Sequence, residues 1–256
     1  MFQRAIVRVP SVNFDEGLTT IEMGKPDYNR AVEQYEAYCA ALRDCGLTLT
    51  RLEPDEGHPD STFVEDTAVL TERCAILARP GAPSREDEVS SITPVLGQFY
   101  SELQSIRAPG TLDGGDVCEA GTHFFSGVSQ RTNESGAEQL RALLGSFGYM
   151  ASLIDIRGLT SILHLKSGLA YLGDNRLVVI DTLAHHEAFH GYELIHTNAG
   201  EEYAANCIRV NDRVLIAAGY SEFEGRLKEL GYETIALDMS EFQKMDGGLS
   251  CLSLRF

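Results

Sequence analysis

The stretch Asp246-Gly247-Gly248-Leu249-Ser250-Cys251 places a thiol just beyond a glycine-rich turn. Glycine permits positive φ and close backbone approach, so such a turn can lift a cysteine out of a sheet toward a pocket. A lone cysteine in an apolar strand is ordinarily core. What sets Cys251 apart is its polar company elsewhere: Glu65-Asp66, Asp113-Gly114-Gly115-Asp116 and His164. Thiol with imidazole is the pairing of covalent catalysis. Carboxylates accept the N–H donors of a planar guanidinium in pairs, so these acidic groups suit a planar cation whose central carbon is held for attack. Taken singly, Asp113 and Asp116 are turn residues flanking two glycines; it is the combination that suggests chemistry.

Bringing such distant residues together requires a repeated scaffold. Four stretches read as strand pairs around polar turns: 66–80 around Glu72-Arg73, 115–129 around Gly121-Thr122, 167–181 around Gly173-Asp174-Asn175, and 204–219 around Asn211-Asp212. Their spacing of about 40 to 50 residues is that of a structural repeat. Each pair is followed by a helical pattern and a further strand. Ser84 stands as cap ahead of Val89, Ile92, Leu96, Phe99 and Leu103, with a strand over 103–108. Leu140, Leu143, Leu144 and Phe147 share one face, Gly148 stops that helix, and a strand follows over 151–156. Ser221 and Glu224 have capping-box spacing before Phe223, Leu227 and Leu230, with a strand over 234–237. The segment 183–190 has the weakest helical pattern. Near the N-terminus a strand over 5–9, a helix over 26–45 and a strand over 47–52 lack only a partner, and 249–256 is the strand left over. Pairing the two chain ends completes a closed ring of five ββαβ units in a single domain of residues 1–256. A doubly wound parallel sheet fits less well, because parallel strands need long crossovers rather than hairpin turns.

A formal net charge of −17 repels a polyanionic backbone, so nucleic acid is not the expected partner. The same field favours a cationic small molecule. No apolar run approaches the roughly 18 residues of a membrane span, and Met1-Phe2-Gln3-Arg4 leads straight into a strand, so a soluble cytoplasmic protein is expected. The six cysteines lack metal or redox spacing and are expected as thiols. His185, His186 and His190 cluster locally but read as a solvated helix face rather than a metal site.

Five motifs in order, Phe63-Val64-Glu65-Asp66, Leu112-Asp113-Gly114-Gly115-Asp116, Leu163-His164-Leu165-Lys166-Ser167, Ala205-Asn206-Cys207 and the Cys251 turn, resemble those of the dimethylarginine dimethylaminohydrolases. These are guanidine-modifying (pentein) enzymes built on a five-bladed α/β propeller, and the resemblance extends over essentially the whole chain. It implies a hydrolase that converts asymmetrically methylated arginine to citrulline and methylated amine, without metal or organic cofactor. Carried over, it makes Cys251 the nucleophile, His164 the general acid and base, and Asp113 the carboxylate that orients the imidazole. Glu65 and Asp66 would hold the guanidinium, Asp60 and the Leu18 backbone the α-amino group, and Arg85 and Arg131 the α-carboxylate. Residues 15–20 resemble a flexible lid. Some members carry Glu where this chain has Asp113, so the orienting carboxylate here is one methylene shorter. A methylated arginine is the implied partner, with no nucleic acid or membrane and room for a homodimer. Two other readings stand beside this one. An arginine deiminase-like hydrolase would act on another guanidine, and a non-catalytic ring-scaffold binding protein would have no use for an intact thiol, imidazole and carboxylate set.

Overall fold

All residues 1–256 are described in a computed structural model. In chain order the elements are β1 (Arg4–Arg8), α1 (Tyr28–Asp44), β2 (Thr48–Leu52), β3 (Ala68–Leu70), β4 (Ala75–Leu77), α2 (Glu88–Leu96), β5 (Leu103–Ser105), β6 (Val117–Ala120), β7 (His123–Val128) and α3 (Glu134–Ser146). There follow β8 (Met150–Asp155), β9 (Leu169–Tyr171), β10 (Arg176–Val179), β11 (Glu193–His196), β12 (Ile208–Val210), β13 (Arg213–Ala217), α4 (Ser221–Glu229), β14 (Glu233–Leu237), α5 (Ser240–Gln243) and β15 (Leu254–Arg255). The strands form five three-stranded sheets: β15-β1-β2, β3-β4-β5, β6-β7-β8, β9-β10-β11 and β12-β13-β14. In four of them the middle strand pairs antiparallel on one side and parallel on the other. In three of these a hairpin supplies the antiparallel pair, in the fourth the two chain ends do, and in each a helical crossover supplies the parallel one, which is the expected ββαβ repeat. The chain ends pair as anticipated, with Ala5 opposite Arg255 and Ile6 opposite Leu254.

The chain gathers into two compact units, Met1–Val64 with His196–Phe256, and Glu65–Ile195. In the first, α1 lays Ala31, Tyr35, Tyr38, Cys39 and Leu42 against Phe14, Phe63, Leu215, Phe242 and Leu252. Asp27 caps that helix by accepting from the Arg30 N–H, so it starts at Tyr28 rather than at Pro26. In the second unit, Leu140 and Leu144 of α3 pack with Ile76, Leu112, Val117 and Phe124.

Four local expectations are corrected. Ser84 lies inside a 3-10 turn, Pro83–Arg85, and caps nothing; α2 begins at Glu88 and ends by Leu96, leaving Phe99 and Leu103 outside it. Ser221 is the first helical residue of α4 and forms no capping box; Glu201, from the segment before β12, accepts the Phe223 N–H instead. The C-terminal strand is only Leu254–Arg255, and Cys251 sits in a 3-10 turn, Ser250–Leu252. The Asn206 amide oxygen accepts the Ser250 N–H and the Arg255 guanidinium donates to the Ser250 carbonyl, so those groups are withdrawn from any ladder. The segment holding His185, His186 and His190 contains a 3-10 turn, Glu187–Phe189, in place of a helix.

Two glycines of α3 separate propensity from packing. Glycine to alanine inside a helix normally stabilises by about 1 kcal/mol, and at Gly145 an added Cβ meets nothing within 4 Å. At Gly136 the same Cβ would stand 1.9 Å from the Thr111 carbonyl oxygen. Urea denaturation should therefore show Gly145→Ala stabilised by ~0.5–1 kcal/mol and Gly136→Ala destabilised; equal effects at both positions would contradict the packing.

Candidate active site

In every repeat a 3-10 turn immediately precedes the first strand of the hairpin: Val64–Thr67, Gly114–Asp116, Leu165–Ser167, Glu202–Ala205 and Ser250–Leu252. These turns, or the residue at either end of them, carry Glu65, Asp66, Asp113, Asp116, His164, Asn206 and Cys251. The polar residues flagged in the sequence thus occupy one recurrent place in the fold.

Within the unit Glu65–Ile195, the His164 Nε2 lies 3.0 Å from Asp113 Oδ2. The other Asp113 oxygen accepts the Gly81 N–H at 2.8 Å, and the Asp113 N–H donates to the Thr132 hydroxyl. Asp66 accepts the Gly115 N–H through Oδ1 and pairs with Arg85 Nη1 at 2.5 Å through Oδ2. Gly114 and Gly115 are required by the approach of these turns. A Cβ at 114 would stand 2.0 Å from the Glu65 carbonyl oxygen, and one at 115 would stand 2.8 Å from His164 Nδ1. Glu65 pairs with Lys166 at 2.5 Å.

The charges of this cluster are set by one another. Burial pushes the His164 pKa down, but Asp66, Asp116 and the Asp113 hydrogen bond outweigh it and lift the imidazole to about 9. Burial also opposes ionisation of Asp66, yet the His164 and Arg85 cations hold it at about 2. Asp116, where burial prevails, rises to about 6.

Two expected positions look different in place. Arg85 was expected at an α-carboxylate; it is 5% exposed and lies between carboxylates, with Nη1 on Asp66 and Nε and Nη2 on Glu88. Asp116, expected among the acidic groups that face a planar cation, is fully enclosed and bonded to the Leu165 N–H and the Ser129 hydroxyl. Arg131 differs from Arg85: its Nη1 is buried with no hydrogen-bond partner, a cation presenting an unused donor. One carboxylate oxygen each from Asp66 and Asp113 and one His164 nitrogen lie within 4.8 Å of one another, the spacing of a metal trio. Their oxygens already accept N–H groups and face the Arg85 cation, an arrangement suited to holding a proton on the imidazole.

In the other unit, Cys251 is half-buried on its short turn. Asn206 grips the turn twice, accepting the Ser250 N–H at 2.9 Å and donating to the Ser250 hydroxyl at 3.1 Å. Tyr203 donates to the Gly247 carbonyl, and a Cβ at Gly247 would strike the Phe63 ring at 2.3 Å. Asn206 and Tyr203 were not assigned roles from sequence, although Ala205-Asn206-Cys207 stood out as a motif; no sequence signal pointed to Tyr203. Asp60 is buried and accepts the Leu18 N–H through both oxygens, at 3.0 and 3.1 Å. Residues 15–20 are pinned further: Thr19 donates to the Lys244 carbonyl, and Thr20 donates to Asp246.

No protein-family model matches the chain. It is 45% identical to the N(G),N(G)-dimethylarginine dimethylaminohydrolase of Pseudomonas aeruginosa over 257 residues, covering 100% of both proteins. The protein of that name from Streptomyces coelicolor is 34% identical over 99% of this chain and 96% of its own. The chain belongs to the dimethylarginine dimethylaminohydrolase family. A structure of the Pseudomonas aeruginosa family member, a cysteine-to-serine mutant complexed with citrulline, superposes with a TM-score of 0.97 at 44% identity over 100% of both chains. The five three-stranded units are therefore those of the α/β propeller seen in this family. The N-terminal domain of ArgZ, an arginine dihydrolase from cyanobacteria, has the same fold at 17% identity, with a TM-score of 0.90 over 100% of this chain and 97% of that one.

A histidine raised from an unfolded value near 6.5 to about 9 adds stability that is complete below the lower value and lost as pH climbs through the higher one. The unfolding free-energy difference between the wild type and His164→Gln should accordingly shrink between pH 6.5 and about 9. A difference independent of pH across that window would contradict the buried charge cluster.

Proposed function

We propose that this chain hydrolyses asymmetrically N-methylated arginines, such as asymmetric dimethylarginine, to citrulline and methylated amine through a covalent intermediate on Cys251. The observation that carries the reading is the 3.0 Å Asp113–His164 pair, built into a chain that matches the Pseudomonas aeruginosa enzyme from end to end. It is supported by a structure of a family enzyme's histidine-to-glycine mutant as an adduct with S-methyl-L-thiocitrulline, with a TM-score of 0.97 at 44% identity.

In this reading the substrate guanidinium lies against Glu65 and Asp66. The Cys251 thiolate adds to its central carbon. His164, protonated at neutral pH by its carboxylate neighbours, gives that proton to the departing dimethylamine as the C–N bond breaks. A thiouronium remains on sulfur. The neutral imidazole then takes a proton from water as the oxygen attacks the same carbon. Collapse of this second adduct breaks the C–S bond, returns the thiolate and, as the hydroxyl proton passes to solvent, releases citrulline. Splitting the hydrolysis into two additions lowers each barrier, and one imidazole serves as acid in the first half and as base in the second. Asp113 orients that imidazole.

The family resemblance implies that Asp60 and the Leu18 backbone receive the α-amino group and that Arg131 receives the α-carboxylate, a role its unused Nη1 donor supports. Arg85 acts from beneath, keeping Asp66 ionised through their ion pair. No helix is long and apolar enough to cross a membrane, and we place the enzyme in the cytoplasm, acting on a free small molecule.

A colorimetric citrulline assay with asymmetric dimethylarginine and arginine in parallel tests the substrate. Turnover of the methylated compound is expected, abolished by Cys251→Ser and by His164→Gly; turnover at the wild-type rate by either variant would remove the mechanism. Arg131→Ala should raise KM by about 10- to 100-fold, the cost of a lost charge-assisted hydrogen bond, with a smaller effect on kcat. An unchanged KM would take the α-carboxylate away from Arg131.

A further inference from the structure

One buried carboxylate has no part in the steps above. Asp116 is fully enclosed and ends the 3-10 turn that directly follows Asp113. Its Oδ1 accepts the Leu165 N–H at 3.0 Å, the first peptide after His164. Its Oδ2 accepts the Ser129 hydroxyl at 2.6 Å. The Ser129 oxygen in turn accepts the Arg131 N–H and the Thr132 N–H, each at 3.0 Å. A hydroxyl has one proton and two lone pairs. With both lone pairs occupied, the Ser129 proton has to be donated, and Asp116 is where it goes. The Thr132 hydroxyl accepts the Asp113 N–H at 3.1 Å, which ties the same turn to the carboxylate beside the imidazole. Gly127 leaves the room: a Cβ there would lie 2.9 Å from Asp116 Oδ1 and 3.0 Å from the Leu165 Cβ.

We propose that Asp116 is a positioning residue whose carboxylate, accepting at both oxygens, sets the His164 backbone and the Arg131 turn together, so that acid–base geometry and substrate binding are fixed by one buried group. The catalytic part of this rests on the hydrolase reading; the structural link does not. Asp116 also acts through charge, being one of three carboxylates, with Asp66 and Asp113, that face His164 and raise it. An amide cannot replace it. Asparagine offers one acceptor, and its NH2 would point at a serine oxygen whose lone pairs are already taken. Either the Ser129 link or the Leu165 link must break.

The test compares Asp116→Asn and Ser129→Ala with the wild-type enzyme. NMR titration of the His164 ring, assigned with His164→Gln, should give a value below the wild type's in Asp116→Asn. In the same variant kcat should fall and KM for asymmetric dimethylarginine should rise, together lowering kcat/KM by about 10- to 100-fold. Ser129→Ala releases the Arg131–Thr132 turn but leaves the Asp116 carboxylate and its Leu165 contact, and should raise KM with a smaller change in the His164 titration than Asp116→Asn gives. A folded Asp116→Asn protein with His164 titration, kcat and KM all at wild-type values overturns the proposal. If that variant does not fold, an unchanged KM in Ser129→Ala overturns it instead. Should the wild type release no citrulline, the hydrolase reading fails, and the His164 titration of Asp116→Asn still decides whether Asp116 is coupled to the imidazole.

Discussion

The site depends on placing more negative than positive charge in a region water does not reach. Glu65, Asp66, Glu88, Asp113 and Asp116 are all buried, and the cations beside them are Arg85, Lys166 and His164. A buried charge costs several kcal/mol unless it is paired and hydrogen-bonded, and here backbone N–H groups of Gly81, Gly115 and Leu165 share the load with the cations. The surplus of carboxylates has two effects. It holds the imidazole protonated well above its ordinary range, and it leaves a field that a guanidinium would neutralise. An imidazole protonated at neutral pH and a field suited to a planar cation thus arise from the same imbalance.

Delivering those carboxylates is the task of the repeat. Each sheet begins with a single 3-10 turn, and a turn of that kind presents backbone N–H groups and side chains within a few residues of one another. The turns can approach one another only where side chains are absent, which is why glycine stands at 114 and 115. On the thiol-bearing turn the fixing groups are side chains: Asn206 and Arg255 hold the Ser250 peptide at its two ends. A cysteine so mounted is shaped by its neighbours' hydrogen bonds rather than by a strand ladder. The expectation of a strand from 249 onward did not hold for that reason.

What could be read in the sequence was whatever is encoded locally. Hairpin turns at Asp174-Asn175 and Asn211 are visible because those residues take positive φ, as Gly121 does, and the ββαβ order followed from them. The stop of α3 at Gly148 was visible for the same reason. Features set by distant partners were not. Glu201 accepts the Phe223 N–H where a capping box at Ser221 was expected, and Asp116 serves Leu165 and Ser129 from across two sheets' entry turns. Arg85 is an intermediate case: Glu88 three residues on is its partner, a spacing that reads as an ion pair once α2 is known to begin there. A family resemblance named the residue, but only the fold shows that its guanidinium lies between two carboxylates.

The shorter carboxylate at 113 shows how such a site tolerates a change of length. One methylene fewer than glutamate would leave a gap to the imidazole if the backbones stayed apart, yet the separation is 3.0 Å. The Asp113 peptide is drawn in by the Thr132 hydroxyl, its second oxygen is fixed by the Gly81 N–H, and Gly115 lets the turn close on the His164 ring. Gly81 can lie there because it too lacks a side chain: a Cβ on it would be 2.1 Å from the Arg131 carbonyl oxygen. The reach lost from the side chain is regained by main-chain approach, and that approach uses the segment bearing Arg131. The Asp113 carboxylate and the Arg131 segment are therefore linked through Gly81, whose N–H holds the one and whose missing side chain makes room for the other.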